Sequence, residues 1–339
     1  MRPGGVFSGD GPRWFTIAAH RPFVEDLARG LTASLLPLGP QALSEATVLT
    51  PNQRGARALA EAFLTVSGGR AVLLPQVRAL GDLDEGEPPF EPGVLALDLP
   101  PAVSAYRRRF ELARLVAQNA DMFERRIDAA GALELADALA AFLDSLQIEE
   151  VEGSGRLDAL VEGDLAKHWQ KSAAFLKLAL DAWPQRLKAL GLIDISERRV
   201  RLLRLLERQW TGHPPAGPLI AAGSTGTAPA TADLLAVVAR APRGAVVLPG
   251  LDLDLDVKAW DAVGEQHPQG AMKRLLDRHG LSREAVKVWP VEFVSGETRG
   301  RWRRRLINEA LRPARTVRPT KPMAMGSPSA GASSRILWI

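Results

Sequence analysis

Cysteine is absent from the 339-residue chain, and its absence removes a whole class of chemistry. Without thiols the chain can form no disulfide, thiolate zinc site or iron–sulfur cluster, and it has no cysteine nucleophile. Hydrophobic residues nevertheless make up 46% of the sequence, which is enough to fill a sizeable core. We therefore expect a globular chain in which any chemistry uses other side chains.

Long apolar runs are also missing. No stretch of about 18 apolar residues occurs, and the segment from Met1 to His20 lacks the apolar core and cleavage site of a signal peptide. From the sequence we expect a cytoplasmic protein with no membrane partner.

Metal-binding patterns are equally scarce. The five histidines show neither H-E-x-x-H nor any paired spacing. Asp252, Asp254 and Asp256 alternate, but an EF-hand would need Gly at Val257 and Glu at Val263, so we expect these carboxylates to lie in solvent. The residues predict no catalytic group, no metal site and no cofactor in this chain.

The net charge of +4 is unevenly distributed. Nine Arg or Lys residues and a single acidic one, Glu309, lie between Arg299 and Lys321, so the other residues sum to −4. The basic character therefore belongs to one segment and not to the whole surface.

Apolar strands alternate with helices at both ends of the chain, which predicts an α/β fold with a parallel sheet. The middle of the chain is helical almost throughout, which predicts a large all-helical insertion in that fold. We expect strands at 14–19, 46–50, 71–75, 218–222 and 244–248, and flanking helices at 22–34, 53–64 and 230–241. In the insertion we expect helices at 106–119, 131–146, 157–190 with a break near Trp183-Pro184, and 195–210.

Composition divides the chain into five parts. A loop rich in Gly, Pro and acidic groups at 76–100 closes the first part, and the tail lacks any periodicity. The expected parts are 1–100 and 213–298 for the α/β domain, 101–212 for the insertion, 299–318 for a basic segment, and 319–339 for a disordered or aberrant tail.

The chain resembles the alphaproteobacterial AddB family, whose members are subunits of a double-strand-break repair helicase–nuclease. The resemblance extends to about Arg315. It rests on FTIAAHRPFVEDLAR (15–29), TVLTPNQRGARALAEAFLTVSGGRAVLLPQVRALGDLD (47–84), GLIDISERRVRLLRLLERQW (191–210) and PLIAAGSTGTAPATADLLAVVARAPRGAVVLPGLDLDLD (218–256).

The resemblance implies a P-loop fold of the superfamily 1 helicase type without a working ATP site. It implies contact with DNA, as a single strand or a duplex end, and with the AddA partner in recombinational repair. The family also carries a nuclease domain with magnesium and a four-cysteine iron–sulfur cluster, which this sequence lacks. With the aperiodic tail after Arg315, we expect a truncated or frameshifted product.

The turn after the first strand departs from an active motor. A working phosphate loop reads G-x-x-x-x-G-K-[ST], since glycines let backbone amides wrap the phosphates while Lys and a hydroxyl meet phosphate and magnesium. Here the turn reads Ala18-Ala19-His20-Arg21-Pro22-Phe23. We therefore expect no ATP hydrolysis by this chain.

Three segments are candidates for binding phosphate. Thr50, Asn52, Arg54 and Arg57 follow the second strand and resemble a helicase motif that contacts single-stranded DNA; alternatively Thr50 and Asn52 cap the helix and the arginines are solvated. The loop 223–227 is glycine-rich, and a tight packing turn is the alternative reading. The third segment carries Arg301, Trp302, Arg303, Arg304 and Arg305, suited to phosphates and a stacked base or to a solvated helix face.

The sequence therefore favours a non-catalytic, DNA-contacting part of an AddB-type subunit. Two alternatives stay open. One is an α/β enzyme or binding module for a small phosphorylated ligand at the strand ends, and the other is a purely structural domain that binds a protein partner.

Overall fold

A computed structural model describes residues 5–7, 11–39, 41–80, 99–123, 126–151, 166–291 and 297–316. Its centre is a six-stranded sheet with the order β3-β2-β4-β5-β1-β6, in which every paired neighbour runs parallel. The predicted parallel α/β sheet is confirmed. The strands are β1 (Trp14–Ile17), β2 (Thr47–Thr50), β3 (Gln76–Ala79), β4 (Leu219–Ala222), β5 (Gly244–Pro249) and β6 (Lys287–Val288).

Helices connect these strands along the chain. In chain order they are α1 (Phe23–Leu35), α2 (Gln53–Val66), α3 (Ala105–Gln118), α4 (Ala129–Ile148), α5 (Ala166–Ala189), α6 (Ile195–Gly212), α7 (Pro229–Arg240), α8 (Val257–Asp261), α9 (Gly270–Arg278) and α10 (Glu297–Ala310). None of the described helices is long and apolar enough to cross a membrane.

The sheet has a hydrophobic core on each face, because successive strand residues point to opposite sides. In β1, Trp14 belongs to the core formed with α6, α7 and α9, whereas Phe15 belongs to the core formed with α1 and α2. Buried strands of this kind read as continuous apolar runs. That is why the sequence identifies β1, β2, β4 and β5 so directly.

Helices α3, α4 and α5 follow β3 and precede β4 in the chain, and they pack around a third hydrophobic core. Helix α6 differs from them, because its residues Leu202, Leu206 and Trp210 belong to a core of the sheet. The last helix of the expected insertion is thus also part of the layer that covers the sheet.

The strand predicted at Ala71–Pro75 is wrong. Strand β3 begins at Gln76, immediately after the end of the predicted strand, and the Gln76 backbone N–H donates to the Ala46 carbonyl at 2.8 Å. Pro75 has no N–H to give to the ladder, so pairing with β2 starts after it. Residues 76–79, expected in a loop, therefore form the edge strand.

The helix break predicted near Trp183-Pro184 is also wrong, since α5 continues through Pro184. Trp183 is fully buried, and its indole Nε1 donates to Asp194 Oδ2 at 2.6 Å, which fixes the helix at this point. The expected tail 319–339, most of the loop 76–100 and the start of the helix predicted at 157 lie outside the described residues.

An ion-pair cluster joins α6, α7 and α9. Arg204 Nη1 lies 2.7 Å from Asp233 Oδ2, and Arg278 donates from Nε and Nη2 to the same carboxylate at 2.7 and 2.8 Å. Burial raises the pKa of Asp233, but the hydrogen bonds from Arg278 and Arg204 outweigh it and lower the pKa to about 2. The carboxylate is therefore held in its charged form.

We expect this cluster to make the free energy of unfolding depend on pH. Because the folded pKa lies below the unfolded one, the contribution is complete above about pH 4 and is lost as the pH falls towards 2. Allowing for solvent screening, it amounts to about 1–2 kcal/mol. Urea unfolding of the wild type and of Asp233→Asn at pH 7 and pH 3 measures it; an equal stability difference between the two proteins at both pH values would contradict it.

Candidate nucleic-acid interface at the carboxyl edge of the sheet

All of the predicted binding segments meet at one edge of the sheet, where the carboxyl ends of the parallel strands lie; we call this the carboxyl edge. The loop after β4 touches the turn after β2, because a Cβ placed on Gly223 would lie 3.5 Å from Pro51. The loop after β5 touches the turn after β1, since a Cβ on Gly250 would lie 2.9 Å from that of Ala19. In open α/β sheets ligands bind at this edge, next to strands whose connections leave in opposite directions.

Two such pairs of neighbouring strands lie beside the predicted binding segments. Strands β1 and β5 are neighbours, but the connection from β1 leads to β2 on one side of the pair, and the connection from β5 leads to β6 on the other. The same is true of the neighbours β2 and β4, which lead to β3 and β5. The β1/β5 crevice holds the turn expected to bind phosphate in an active motor, and the β2/β4 crevice holds Thr50 and Asn52.

The turn after β1 is tight and is closed over by protein. The Arg21 backbone N–H donates to the Ala18 carbonyl at 2.9 Å, and the Arg21 side chain pairs with buried Asp26. Helix α10 lies against this turn, where a Cβ on Gly300 would come within 2.6 Å of His20 Cδ2. The turn therefore folds back on itself and is covered by α10.

The Thr50 and Asn52 side chains are engaged in local hydrogen bonds. Thr50 is buried, and its hydroxyl donates to the Asn52 carbonyl at 3.2 Å. Asn52 is the N-cap of α2, and its Oδ1 accepts from the Gly55 N–H at 2.8 Å. The capping role considered for Asn52 is confirmed, and Thr50 holds the turn that leads into the cap.

Arg54 and Arg57 lie in the first two turns of α2 and are exposed. Neither forms an ion pair or a side-chain hydrogen bond with another described residue. A cation near a helix N-terminus is unfavourable for the helix itself, because the positive end of the dipole lies there, and no acidic residue occupies the first turn. These charges do not serve the helix and are available to an anion.

The glycine-rich loop 223–227 is filled by packing. A Cβ on Gly226, which has φ +61°, would lie 2.8 Å from Leu275 Cδ1 of α9. The Gly223 N–H donates to the Val247 carbonyl at 3.0 Å. These contacts favour the packing-turn interpretation of this loop over a ligand cradle.

The expectation that the three alternating aspartates lie in solvent is wrong for Asp252, which is buried, whereas Asp254 is exposed and Asp256 is half-buried. Asp252 is buried and accepts the backbone N–H of Asp254 at 2.7 Å, while Asp256 caps α8 by accepting the Ala259 N–H at 2.9 Å. Two of them also pair with arginines near the C-terminus of the described chain: Arg304 with Asp254, and Arg312 with Asp256.

These two ion pairs attach α10 and the residues that follow it to the carboxyl edge. A third contact joins the His267 ring to the Leu311 carbonyl, with Nε2 at 3.0 Å from the oxygen. A cavity of about 370 Å³ lies beneath the helix, lined by Ala19, Gly250 and Gln269 on the sheet side and by Arg303, Arg304 and Asn308 on the helix side. The basic segment is therefore a docked helix and not a free tail.

The predicted basic residues of α10 have different surroundings. Arg304 is largely neutralised by Asp254, whereas Arg303 and Arg305 are exposed without an ion pair or side-chain hydrogen bond to another described residue. Arg301 is exposed as well, and Trp302 keeps 64% of its surface accessible. Of the predicted phosphate contacts on this helix, Arg303 and Arg305 are thus the most available, beside an accessible indole.

The sequence interpretation overlooked an aromatic pair in the insertion. Tyr106 and Phe110 of α3 are both strongly exposed, with arginines beside them in the run Tyr-Arg-Arg-Arg-Phe. The i, i+4 spacing of two aromatics on the polar side of a helix was the signal that would have found them.

The chain matches no protein-family model and no curated protein.

Proposed function

We propose that this chain is a non-catalytic, DNA-contacting part of a double-strand-break repair helicase–nuclease subunit of the AddB type, working with an AddA-type partner. The sequence resemblance supports the choice of family, and the observation that carries DNA contact is the pair of exposed basic groups at one edge of the sheet. One group is Arg54 and Arg57 at the start of α2, and the other is Arg303 and Arg305 of α10 beside the exposed Trp302.

The charge distribution supports contact with a phosphate backbone. Phosphates are bound chiefly by arginine, lysine and helix N-termini, and the carboxyl edge offers exposed arginines and the N-terminus of α2. The arginines that carry structural duties, Arg304 and Arg312, are paired with Asp254 and Asp256. Arg54, Arg57, Arg303 and Arg305 add positive charge at this edge, and none of the four forms an ion pair with another described residue.

A non-catalytic role is supported by the β1 turn. It has no glycine, lysine or hydroxyl at the positions that a phosphate loop requires, and α10 lies over it. In this proposal the P-loop-like fold serves as a rigid support for a DNA-binding edge, and ATP-driven unwinding belongs to the partner.

We expect DNA affinity to fall when the basic groups are neutralised. For a duplex, the slope of log Kd against the logarithm of the salt concentration should fall by about 1.8 in the double variant Arg54→Gln with Arg57→Gln. The double variant Arg303→Gln with Arg305→Gln should lower it by the same amount, because each double variant removes two phosphate contacts. Fluorescence anisotropy of a labelled blunt duplex over a series of salt concentrations measures this slope.

The matched control is Arg240→Gln with Arg243→Gln, which removes the same charge at the amino end of β5, on the opposite edge of the sheet. The control should leave the slope within about 0.5 of the wild type. If all three double variants shift the slope equally, binding follows net charge alone and the carboxyl edge is not the contact surface.

A further inference from the structure

Helix α3 presents two aromatic rings on its outer side. Tyr106 is 81% exposed and Phe110 is 61% exposed. They are four residues apart, so about 6 Å separates them along the helix axis. The buried residues of α3 are Arg108, Leu112 and Val116, which lie on the opposite side. The rings therefore stand where an ordinary surface helix carries polar groups.

The same outer side carries positive charge. Arg107 and Arg114 share it with the two rings, since residues 106, 107, 110 and 114 fall within about 100° of the helix circumference. Both arginines are exposed, and neither forms an ion pair or side-chain hydrogen bond with another described residue. They are not needed to hold the fold.

Two acidic groups on and beside α3 are paired with other arginines. Arg186 of α5 donates to both oxygens of Glu111 at 2.9 and 3.0 Å, and Arg109 donates to both oxygens of Asp137 at 2.8 Å. The hydrogen bonds from Arg186 lower the pKa of Glu111, so this carboxylate stays charged and paired. The positive charge of Arg107 and Arg114 therefore dominates around the rings.

A shallow cleft borders this face. It has a volume of about 270 Å³ and lies between α3 and α5, with Arg114, Gln118 and Arg186 among its lining residues. Because Arg186 is paired with Glu111, Arg114 is the cleft arginine available to a phosphate, and a guanidinium beside exposed rings suits a polynucleotide strand, whose phosphates and base planes alternate along its length.

We propose that Tyr106, Phe110, Arg107 and Arg114 form a binding face for single-stranded nucleic acid, with bases stacked on the two rings and phosphates held by the two arginines. Stacking on aromatic side chains accepts any base, because every base has a π face, so this face does not read sequence. A duplex hides its base planes and gains nothing from the rings. Although this assignment rests on the proposed DNA function for its setting, its residues are separate from the carboxyl edge.

The test is the affinity of the whole chain for a labelled oligothymidylate, measured by fluorescence anisotropy with a duplex of equal length as the comparison. Tyr106→Ala with Phe110→Ala should weaken single-strand binding at least about tenfold and duplex binding less than about threefold. Arg107→Gln with Arg114→Gln should lower the single-strand salt slope by about 1.4.

Conservative variants separate stacking from apolar contact. Tyr106→Phe and Phe110→Trp keep a π face and should bind the single strand within about twofold of the wild type. Phe110→Leu keeps apolar surface but no π face and should lose affinity as Phe110→Ala does. All of these positions are exposed, so a thermal melt should remain unchanged. Full affinity in Phe110→Leu would overturn the assignment.

The two proposals fail in different ways. If the α3 variants bind like the wild type while the carboxyl-edge variants weaken, the face on α3 is wrong and the proposed function stands. If only the α3 variants weaken binding, the carboxyl edge is wrong as the contact surface. A wild type that binds neither strand form overturns both.

Discussion

Asp194→Ala should lower the free energy of unfolding by about 3–5 kcal/mol, the range found when one partner of a buried ion pair is removed. Asp194 is completely buried at the junction of α3, α4, α5 and α6. Its Oδ1 accepts the Ile195 N–H at 2.7 Å as the N-cap of α6. Its Oδ2 accepts Trp183 Nε1 at 2.6 Å, Arg108 Nη2 at 3.2 Å and Gln147 Nε2 at 3.3 Å.

The size of the effect follows from what the substitution leaves behind. Arg108 is itself buried, and its remaining carboxylate partner, Asp144, lies nearer the surface. Without Asp194, the Trp183 indole N–H and part of the Arg108 guanidinium would have no acceptor in a dry environment. The cap of α6 would be lost as well, which alone costs about 1 kcal/mol.

Urea unfolding followed by circular dichroism measures this loss. Asp137→Ala is the control, because it breaks the exposed pair with Arg109 and should cost less than about 1 kcal/mol. Asp194→Asn should fall between the two, since an amide keeps the shape and some acceptors but removes the charge. If Asp194→Ala and Asp137→Ala cost the same, Asp194 does not organise the insertion.

Gly30→Ala should destabilise the protein by about 1–3 kcal/mol, although glycine to alanine inside a helix ordinarily stabilises by about 1 kcal/mol. Gly30 lies in α1, facing Trp289, which is 1% exposed. An added Cβ would come within 2.2 Å of Trp289 Nε1 and 2.6 Å of Cε2. The indole has little freedom to move, because Nε1 donates to the Asp26 carbonyl at 3.0 Å and the ring meets Phe15 edge to face at 5.3 Å.

Gly55→Ala in α2 is the matched control. Its added Cβ would meet no atom closer than 3.5 Å, so this variant should be neutral or slightly more stable. Thermal unfolding compares the two glycines directly. In the background of Trp289→Leu the penalty of Gly30→Ala should shrink to below about 1 kcal/mol, because the clashing ring is gone. A penalty unchanged by that second substitution would show that the indole is not the cause.

The main strands and most of the helices could be predicted from the sequence, because fully buried strands are continuous apolar runs and amphipathic helices repeat every 3.6 residues. β1, β2, β4 and β5 follow from this pattern. β3 and β6 do not, since edge strands have only one neighbour and tolerate residues such as Gln76, Arg78 and Lys287. Their position depends on which neighbour offers free backbone groups.

Only part of the candidate site could be predicted from the sequence. The sequence identified Arg54, Arg57 and the basic residues of α10 as candidates, because charge and residue type are local properties. It could not tell that Arg304 is paired with Asp254 while Arg303 and Arg305 are exposed, since the pairing joins positions 50 residues apart in the chain. The i, i+4 spacing of Tyr106 and Phe110 is visible in the sequence, but only the packed insertion shows that both rings are exposed to solvent.

The sequence by itself determined that this chain has no thiol chemistry, no phosphate-loop lysine and a parallel α/β core, since these depend on which residues are present and on their short-range periodicity. Only the tertiary structure decided that α10 covers the β1 turn, that Asp194 joins the insertion helices and that Gly30 must lack a side chain. Those features arise from close contacts between distant segments, and van der Waals radii and hydrogen-bond geometry act there on distances that sequence spacing does not encode.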